Sequence, residues 1–536
     1  LISSATWSFS EVGALCEKLE PLTPYGKQSK QQREFFTNEQ QLNALYKRIE
    51  QAINLLRRDT GRAAQVCWHL RRIPLIPQFE AETSDYQMSD FFLVKKFLFN
   101  YSALCELADG DLCSSCGLDF QSQDLLTELV RKQKEEETFC VSAEVSPDLS
   151  ALRNQIKMLD AELEQTRHEQ IKRLRQVLGL DFGERDFVVI DALRARQLDQ
   201  RAVSLEAFDG SHVIVRPMMS QHYFDLLATR EKLIAQERTC ESAYLGQLYA
   251  QIFAHRQHLS TYTQAVKHLD IAMAQAKLAC ELELSRPKLR AYPEQPISIS
   301  SGWLLSLEQN CARVGEHYQP LDFSLHTPAA LIYGSNMSGK TAALKTIASL
   351  QLAAQMGYYV PAKSFEAPIC SHVEVLGAAT LGADNTADGL SRFGREITQL
   401  NAILANRRTY TLLIVDEFAH TTNSIEATAL TYGLLQWIAN TPDMRGIMAT
   451  HQSDLPNMLG VTCFQTDGMD WPAYEAHTSY KPDISERIAT LHRFMRFTLR
   501  EIQGSPHLGD ALRIAQILGT EPQIIHQALA FLQTQK

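Results

Sequence analysis

No apolar run in this chain approaches the ~20 residues a membrane-spanning helix needs. The N-terminal stretch LISSATWSFSEVGALCEKLE has no basic start followed by an apolar block, so it does not read as a secretory leader. These absences lead to the expectation of a cytoplasmic protein. A disulfide framework is missing as well: the eleven cysteines are odd in number and scattered over 536 residues, which fits a reducing compartment. Nor is there a basic excess. With 52 Lys and Arg against 62 Asp and Glu, the net charge is −10, and bulk charge supplies no general affinity for phosphate backbones. Proline is absent from Ser220 to Arg286, and glycine occurs there once, at Gly246. What is present, 45% hydrophobic residues, can build a sizeable core over roughly two to four domains.

Two halves differ in periodicity. Asn38 to Arg58 and Ser89 to Leu107 are amphipathic, with Pro74 and Pro77 punctuating the loop between them. Leu152, Ile156, Leu159 and Leu163 alternate spacings of four and three, and Ile171, Leu174 and Leu178 resume the pattern. Such a seam packs against another helix. The expected partner is the proline-free segment, where Leu245, Leu248, Ile252, His255, Leu259, Tyr262, Val266, Leu269 and Met273 keep the same alternation. As one continuous helix it would extend roughly 100 Å. Between the two lies RDFVVIDALRARQLDQRAVSLEAFDGSHVIVRP, which reads as a small β tip at about 181–216. After Pro287 turn-rich sequence gives way to apolar strands alternating with helices, the pattern of a phosphate-binding α/β domain.

The sharpest motif is LIYGSNMSGKTAALKT, Leu331 to Thr346. It fits G-x-x-x-x-G-K-[ST], with Gly334, Gly339, Lys340 and Thr341 at the fixed positions, directly after the apolar run Ala329 to Tyr333. Glycines let backbone N–H groups converge on a phosphate at a helix start, the lysine reaches the terminal phosphates, and the threonine hydroxyl can ligate Mg²⁺. A Gly/Ser-rich turn before an Ala-rich helix is the plainer alternative. Against it stands TLLIVDEFAH, Thr411 to His420, a second apolar strand that ends in two carboxylates. Asp416 would serve the Mg²⁺ shell, and Glu417 the water that attacks the γ-phosphate.

With GSNMSGKT, LGADNTADGLSRFGREITQLNAIL, LLIVDEFAHTTNS and GIMATHQSDL in this order, the chain resembles the MutS ATPases, a branch of the ABC superfamily. SPHLGDALRIAQILGTEPQIIHQAL is similar to the helical segment through which those ATPases embrace. The resemblance is strong from about Pro287 onward, and the long helices before it look like the family's core and lever. It implies an α/β P-loop (ABC-type) ATPase domain preceded by a mostly α-helical core and lever domain with long antiparallel helices and a small β tip. The expected division is an N-terminal segment at 1–37, core and lever at 38–292, the ATPase domain at 293–503 and a dimerisation segment at 504–536. ATP and Mg²⁺ are the implied cofactors. Gly334, Ser335, Asn336, Met337, Ser338, Gly339, Lys340 and Thr341 would hold the phosphates, with Asn336 beside Lys340. Tyr318 matches the aromatic that stacks on adenine, Ser391 the serine offered across a dimer to the partner's γ-phosphate, and His451 the switch residue near the attacking water. Glu417, His451 and Lys340 form the implied catalytic set, and Thr341 and Asp416 the metal ligands.

Departures from the family pattern matter. GSNMSGK stands where GPNMGGK is usual, and Asp416-Glu417-Phe418-Ala419-His420-Thr421-Thr422 where DE-x-G-R-G-T is usual, which implies slow hydrolysis. Phe9-Ser10-Glu11 has the letters of the mismatch-reading wedge, but the helical core is expected from about Asn38, without room for a reader domain around it. The tip offers no cationic face, with seven acidic and five basic residues from Asp181 to Arg216. The local basic run is Arg167 to Arg175, and any residual DNA affinity would depend on Lys172, Arg173 and Arg175. Cys113 and Cys116 have the spacing of half a zinc site, with reduced thiols the default reading. Two functions follow: a nucleotide-gated dimeric clamp, homo- or heterodimeric, associated with DNA in repair or recombination; or an ATP-driven reactivating factor for a protein partner such as a cobalamin-dependent aminomutase.

Overall fold

Helices and strands both occur in each of two units, Leu1–Ile73, Ala103–Asp119 and Tyr262–Lys536 forming one, and Pro74–Ser102 and Phe120–Thr261 the other. The computed structural model describes the chain except residues 1, 80–85, 131–138, 183–186, 293–295, 316, 336–337, 378–391, 408–409, 453–454, 456–457, 459, 478–493, 503–510 and 535–536, and except the side chains of 144, 314, 392 and 532–534. No described helix is long and apolar enough to cross a membrane.

In the second unit the helices Pro147–Leu178 and Gln221–Ala254 pack together. Ser146 and Ser220 cap their N-termini through their hydroxyls, and Gly179 at φ 63° ends the first. Their polar contacts run in opposite directions along the two sequences. Arg153 bonds Glu237 at 2.7 Å and also Glu241, Arg230 bonds Asp160 at 2.5 Å, and Gln170 meets Met218 and Ser220. The pair is therefore antiparallel. Between them the chain folds β1 (Val188–Asp191), β2 (Val203–Ala207) and β3 (His212–Pro217) into an antiparallel sheet of order β1-β3-β2. Its core, with Phe182, Ile190, Val203 and Val215, packs with Ile171, Leu174 and Leu178 of the first helix. The helix expected to run unbroken from Ser220 to Arg286 is divided at His255, where ψ is 4°, and resumes as Arg256–Glu281. The imidazole Nδ1 lies 3.0 Å from the Gln251 carbonyl, which the His255 N–H also reaches at 3.2 Å.

In the first unit β4 (Lys288–Arg290), β5 (Ile297–Gly302), β6 (Leu321–Leu325) and β8 (Ser364–Pro368) form a sheet of order β4-β8-β5-β6. The expected domain boundary near 293 thus falls between two strands of one sheet. The larger sheet contains β7 (Ala329–Tyr333), β9 (His372–Gly377), β10 (Thr411–Asp416), β11 (Met444–Thr450), β12 (Val461–Met469) and β13 (Met495–Glu501), in the order β13-β12-β7-β11-β10-β9. All neighbours are parallel except β13 on β12. Alternate residues of β7 feed opposite faces: Ala330 and Ile332 join the cluster containing Leu344 and Ile347, whereas Ala329, Leu331 and Tyr333 join Leu434, Leu435 and Ile438. Burial on both faces explains why these strands read as continuous apolar runs.

The helix Lys340–Gln355 is almost wholly buried. Its Gln355 side chain both accepts from the Cys370 N–H at 3.0 Å and donates to the Cys370 carbonyl at 2.7 Å. The N-terminal segment packs on the same helix: Phe9 is buried, and Glu11 pairs with Lys345 at 2.5 Å and with the Ser306 hydroxyl. Phe9-Ser10-Glu11 is therefore a core contact.

Candidate functional site

The loops that follow β7, β10 and β11 leave the same, C-terminal edge of the parallel sheet. Tyr333 lies opposite Thr450, and Ala449 opposite Asp416, so the end of β11 separates the Gly-rich loop from the paired carboxylates. Crevices outside the carboxyl ends of parallel strands are where open α/β sheets bind ligands. Gly339, at φ 88°, turns the chain into the helix, and Lys340 is its first residue. The Lys340 side chain folds back so that Nζ donates to the carbonyls of Gly334 and Ser335 at 2.8 and 2.9 Å. The Thr341 hydroxyl donates to Asp416 Oδ2 at 2.9 Å, linking the two motifs directly. The other carboxylate oxygen, Oδ1, is buried with no partner among the described residues.

Electrostatics match this geometry. Burial pushes the Asp416 carboxyl above its ordinary range, the Thr341 hydrogen bond pulling the other way and the charge of Glu417 adding to the rise. Burial likewise lowers the Lys340 ammonium, opposed by Glu417 and Asp416. One cation facing two carboxylates, one of them with a bare oxygen, fits a site for Mg²⁺ and a polyphosphate. Gly334 admits no side chain: a Cβ there would lie 2.3 Å from both Ser338 Oγ and Thr466 Oγ1. Both hydroxyls are buried without a partner among the described residues.

Glu417 is half-buried, and its N–H donates to the Ala449 carbonyl at 3.1 Å. Glu417 and Ala419 take left-handed backbone angles, φ 55° and 57°. Ala419 stands where the pattern DE-x-G-R-G-T has glycine, so this departure falls on a conformation that favours glycine. The Ala419 N–H donates to buried Glu396 at 3.2 Å, and His420 Nδ1 lies 3.1 Å from the Glu417 carbonyl. His451 is exposed just beyond β11, at the edge shared with the loop and the carboxylates.

Tyr318 is half-buried, its hydroxyl accepting from the Leu304 N–H at 3.0 Å. Next to it, the Gln319 carboxamide accepts from the Phe497 N–H and donates to the Met495 carbonyl, both at 3.0 Å, tying this segment to β13. Phe497 then covers the loop: a Cβ on Gly339 would meet its ring at 2.6 Å. Sequence reasoning missed Phe497, Thr466 and Glu396; no motif marks them, and strand alternation around Thr466 and Phe497 gave the one available signal. Asn336, Met337 and Ser391 lie outside the described residues. Cys113 donates its thiol to the Leu118 carbonyl at 3.0 Å and Cys116 is buried, and no metal-binding group of three or more His, Cys, Asp or Glu occurs among the described residues. Lys172 and Arg173 are exposed, and Arg175 pairs with Asp181 at 2.9 Å.

The family model for MutS domain V matches residues 330–481, which begins inside β7 and includes both the Gly-rich loop and the strand that ends in Asp416 and Glu417. The chain is similar to the DNA mismatch repair protein MutS of Prochlorococcus marinus (strain NATL2A), 23% identical over 401 residues covering 72% of this chain and 40% of that protein. It is 26% identical over 408 residues to Endonuclease MutS2 of Carboxydothermus hydrogenoformans, covering 74% of this chain and 48% of the relative. With the MutS of Myxococcus xanthus (strain DK1622) it shares 29% identity over 233 residues, 42% of this chain and 25% of the relative. The chain thus spans less than half the length of these curated relatives.

Proposed function

We propose that this chain, which belongs to the MutS family, binds and slowly hydrolyses ATP and uses the cycle to gate a dimeric clamp on DNA. The observation that carries the ATPase reading is the direct Thr341–Asp416 contact beside the Lys340 ammonium. In this reading the loop N–H groups and Lys340 hold the phosphates, while Thr341 and Asp416 hold Mg²⁺, which when bound would neutralise phosphate charge. Glu417 accepts a proton from the attacking water, and His451 and the Tyr318–Phe497 region flank the nucleotide. Ser391 completes the partner's site. The α/β P-loop arrangement with its helical lever belongs to the same reading, and the relation of Ala419 to a family glycine supports a slow rate.

Lys340 supplies the principal positive charge at the loop, so Lys340→Ala should abolish Mg-ATP binding by calorimetry; unchanged affinity would remove the assignment. The DNA part rests on relatives named for mismatch repair and as a MutS2 endonuclease. With a net charge of −10, duplex affinity should be weaker than ~1 μM near 150 mM salt. Between 200 and 50 mM salt it should rise by roughly 10³ or more if six or more phosphates are contacted. Anisotropy on duplex, branched and single-stranded DNA, with and without ATP, measures this. Binding to none of them at 50 mM salt in either nucleotide state would favour a protein partner instead.

A further inference from the structure

A cavity of about 270 Å³ lies in the first unit, away from the phosphate loop, between the N-terminal segment, the helix Glu39–Arg58 and the helix Arg256–Glu281. Its apolar wall includes Leu45, Ile271 and Met356. Around that wall stand Lys30, Arg33, Arg48 and Lys267, against a single acid, Glu34. Lys267 is paired with Glu34 at 3.5 Å. The remaining three cations have no carboxylate partner among the described residues. Lys30 spends its ammonium on the Glu17 and Leu19 carbonyls, Arg33 lies over the Trp7 ring at 4.2 Å, and Arg48 gives its Nε to the Ser115 carbonyl at 2.7 Å. None of these contacts neutralises the charge. His268 does not add to it or offset it, because burial and then the Arg48 charge push its imidazole down to about 4.

A second observation is independent of the cations. Gln275 lines the cavity, is 7% exposed, and its carboxamide oxygen is buried with no hydrogen-bond partner among the described residues. Buried amide oxygens in native structures almost always have a donor. The negative end of the helix Lys340–Gln355, which would oppose an anion here, is already satisfied: Tyr46 donates to the Ala354 carbonyl, Phe36 to that of Gln355 and Tyr358 to that of Ala353. We propose that this cavity binds a small organic anion, a carboxylate or phosphate ester with an apolar body and a hydroxyl or amide donor. The anion would face Arg48 and Arg33, and the donor the Gln275 oxygen. The volume lies just below the about 300–1,000 Å³ usual for small-molecule sites, which suits a small ligand and leaves no room for a folded segment.

Calorimetry with 4-hydroxybenzoate and 4-hydroxyphenyl phosphate as probes, both carrying the hydroxyl donor, tests the inference and separates the two anion types. Inorganic phosphate serves as the anion without a body, and benzamide as the neutral body. At least one organic anion should bind with a Kd below about 1 mM. Inorganic phosphate and benzamide should bind about tenfold or more weakly, and Arg48→Gln should cost the organic anion about tenfold. Arg33→Gln, at an exposed position, gives the same readout should Arg48→Gln fail to fold. Lys340→Ala should leave probe binding unchanged, separating this cavity from the nucleotide loop. The inference is overturned if neither organic anion binds below about 1 mM, if benzamide binds equally well, if affinity survives both arginine substitutions, or if it vanishes in Lys340→Ala.

Discussion

Asp416 serves two requirements that oppose one another. Its carboxylate is taken out of water with one oxygen bare, and burial raises its pKa. Between the ordinary aspartate value near 4 and that raised value, the native state therefore binds more protons than the unfolded chain. Stability contributed by this group falls as pH rises through the window. At neutral pH Asp416→Asn should stabilise the nucleotide-free protein, and the gain should shrink on acidification through the same window. The variant should also lose the rise in Tm that Mg-ATP gives the wild type. Scanning fluorimetry with and without Mg-ATP at several pH values measures both; a destabilised variant at pH 7 would contradict the argument. Lys340, Thr341 and Asp416 were legible in the sequence because the loop has fixed spacing and the strand ends abruptly in acid. Phe497 and Thr466 were not, since their relevance depends on β12 and β13 returning to the loop from more than a hundred residues away.

At the scale of elements, local patterns exposed the helices Pro147–Leu178 and Gln221–Ala254, because a seam of alternating spacings needs no knowledge of the rest of the chain. The break at His255 was hidden, as histidine is an acceptable helix residue and the apolar seam continues through it. Hidden too was the tether of the N-terminal segment. Asp270, on the helix Arg256–Glu281, is fully buried and accepts from the Leu22 and Thr23 N–H groups at 2.8 Å and from the Thr23 hydroxyl at 2.6 Å. Thr23 in turn accepts from the Gly26 N–H at 3.0 Å, capping the helix Pro24–Gln32. A Cβ at residue 26 would meet Asp270 Oδ2 at 2.1 Å, so glycine is required there. Asp270→Ala should leave these donors unpaired and cost about 3 kcal/mol, with faster amide exchange at Leu22 and Thr23. Denaturant unfolding within ~0.5 kcal/mol of wild type would show that the tether contributes little.

At the scale of the whole molecule, the ordered motifs made the family legible, whereas the grouping of Leu1–Ile73 with Tyr262–Lys536 in one unit was not. That grouping is made by contacts across more than two hundred residues, such as Tyr46 to the Ala354 carbonyl at 2.6 Å, which leave no periodic trace. The proposed dimer makes the sharpest demand on the intact protein. If Ser391 reaches the nucleotide held by the partner's Lys340 loop, each site needs one residue from either chain, and neither variant alone can assemble a complete site. Ser391→Ala chains and Lys340→Ala chains should then be nearly inactive separately. In a mixed dimer the Ser391→Ala chain contributes an intact phosphate loop and the Lys340→Ala chain contributes an intact serine, so one of the two sites is whole. Mixing should therefore restore ATPase activity to about half the wild-type rate per verified mixed dimer, if the two sites turn over independently. Mixed dimers isolated by two affinity tags and still as inactive as either parent would place Ser391 and Lys340 in the same chain's site, or would show that two complete sites must act together.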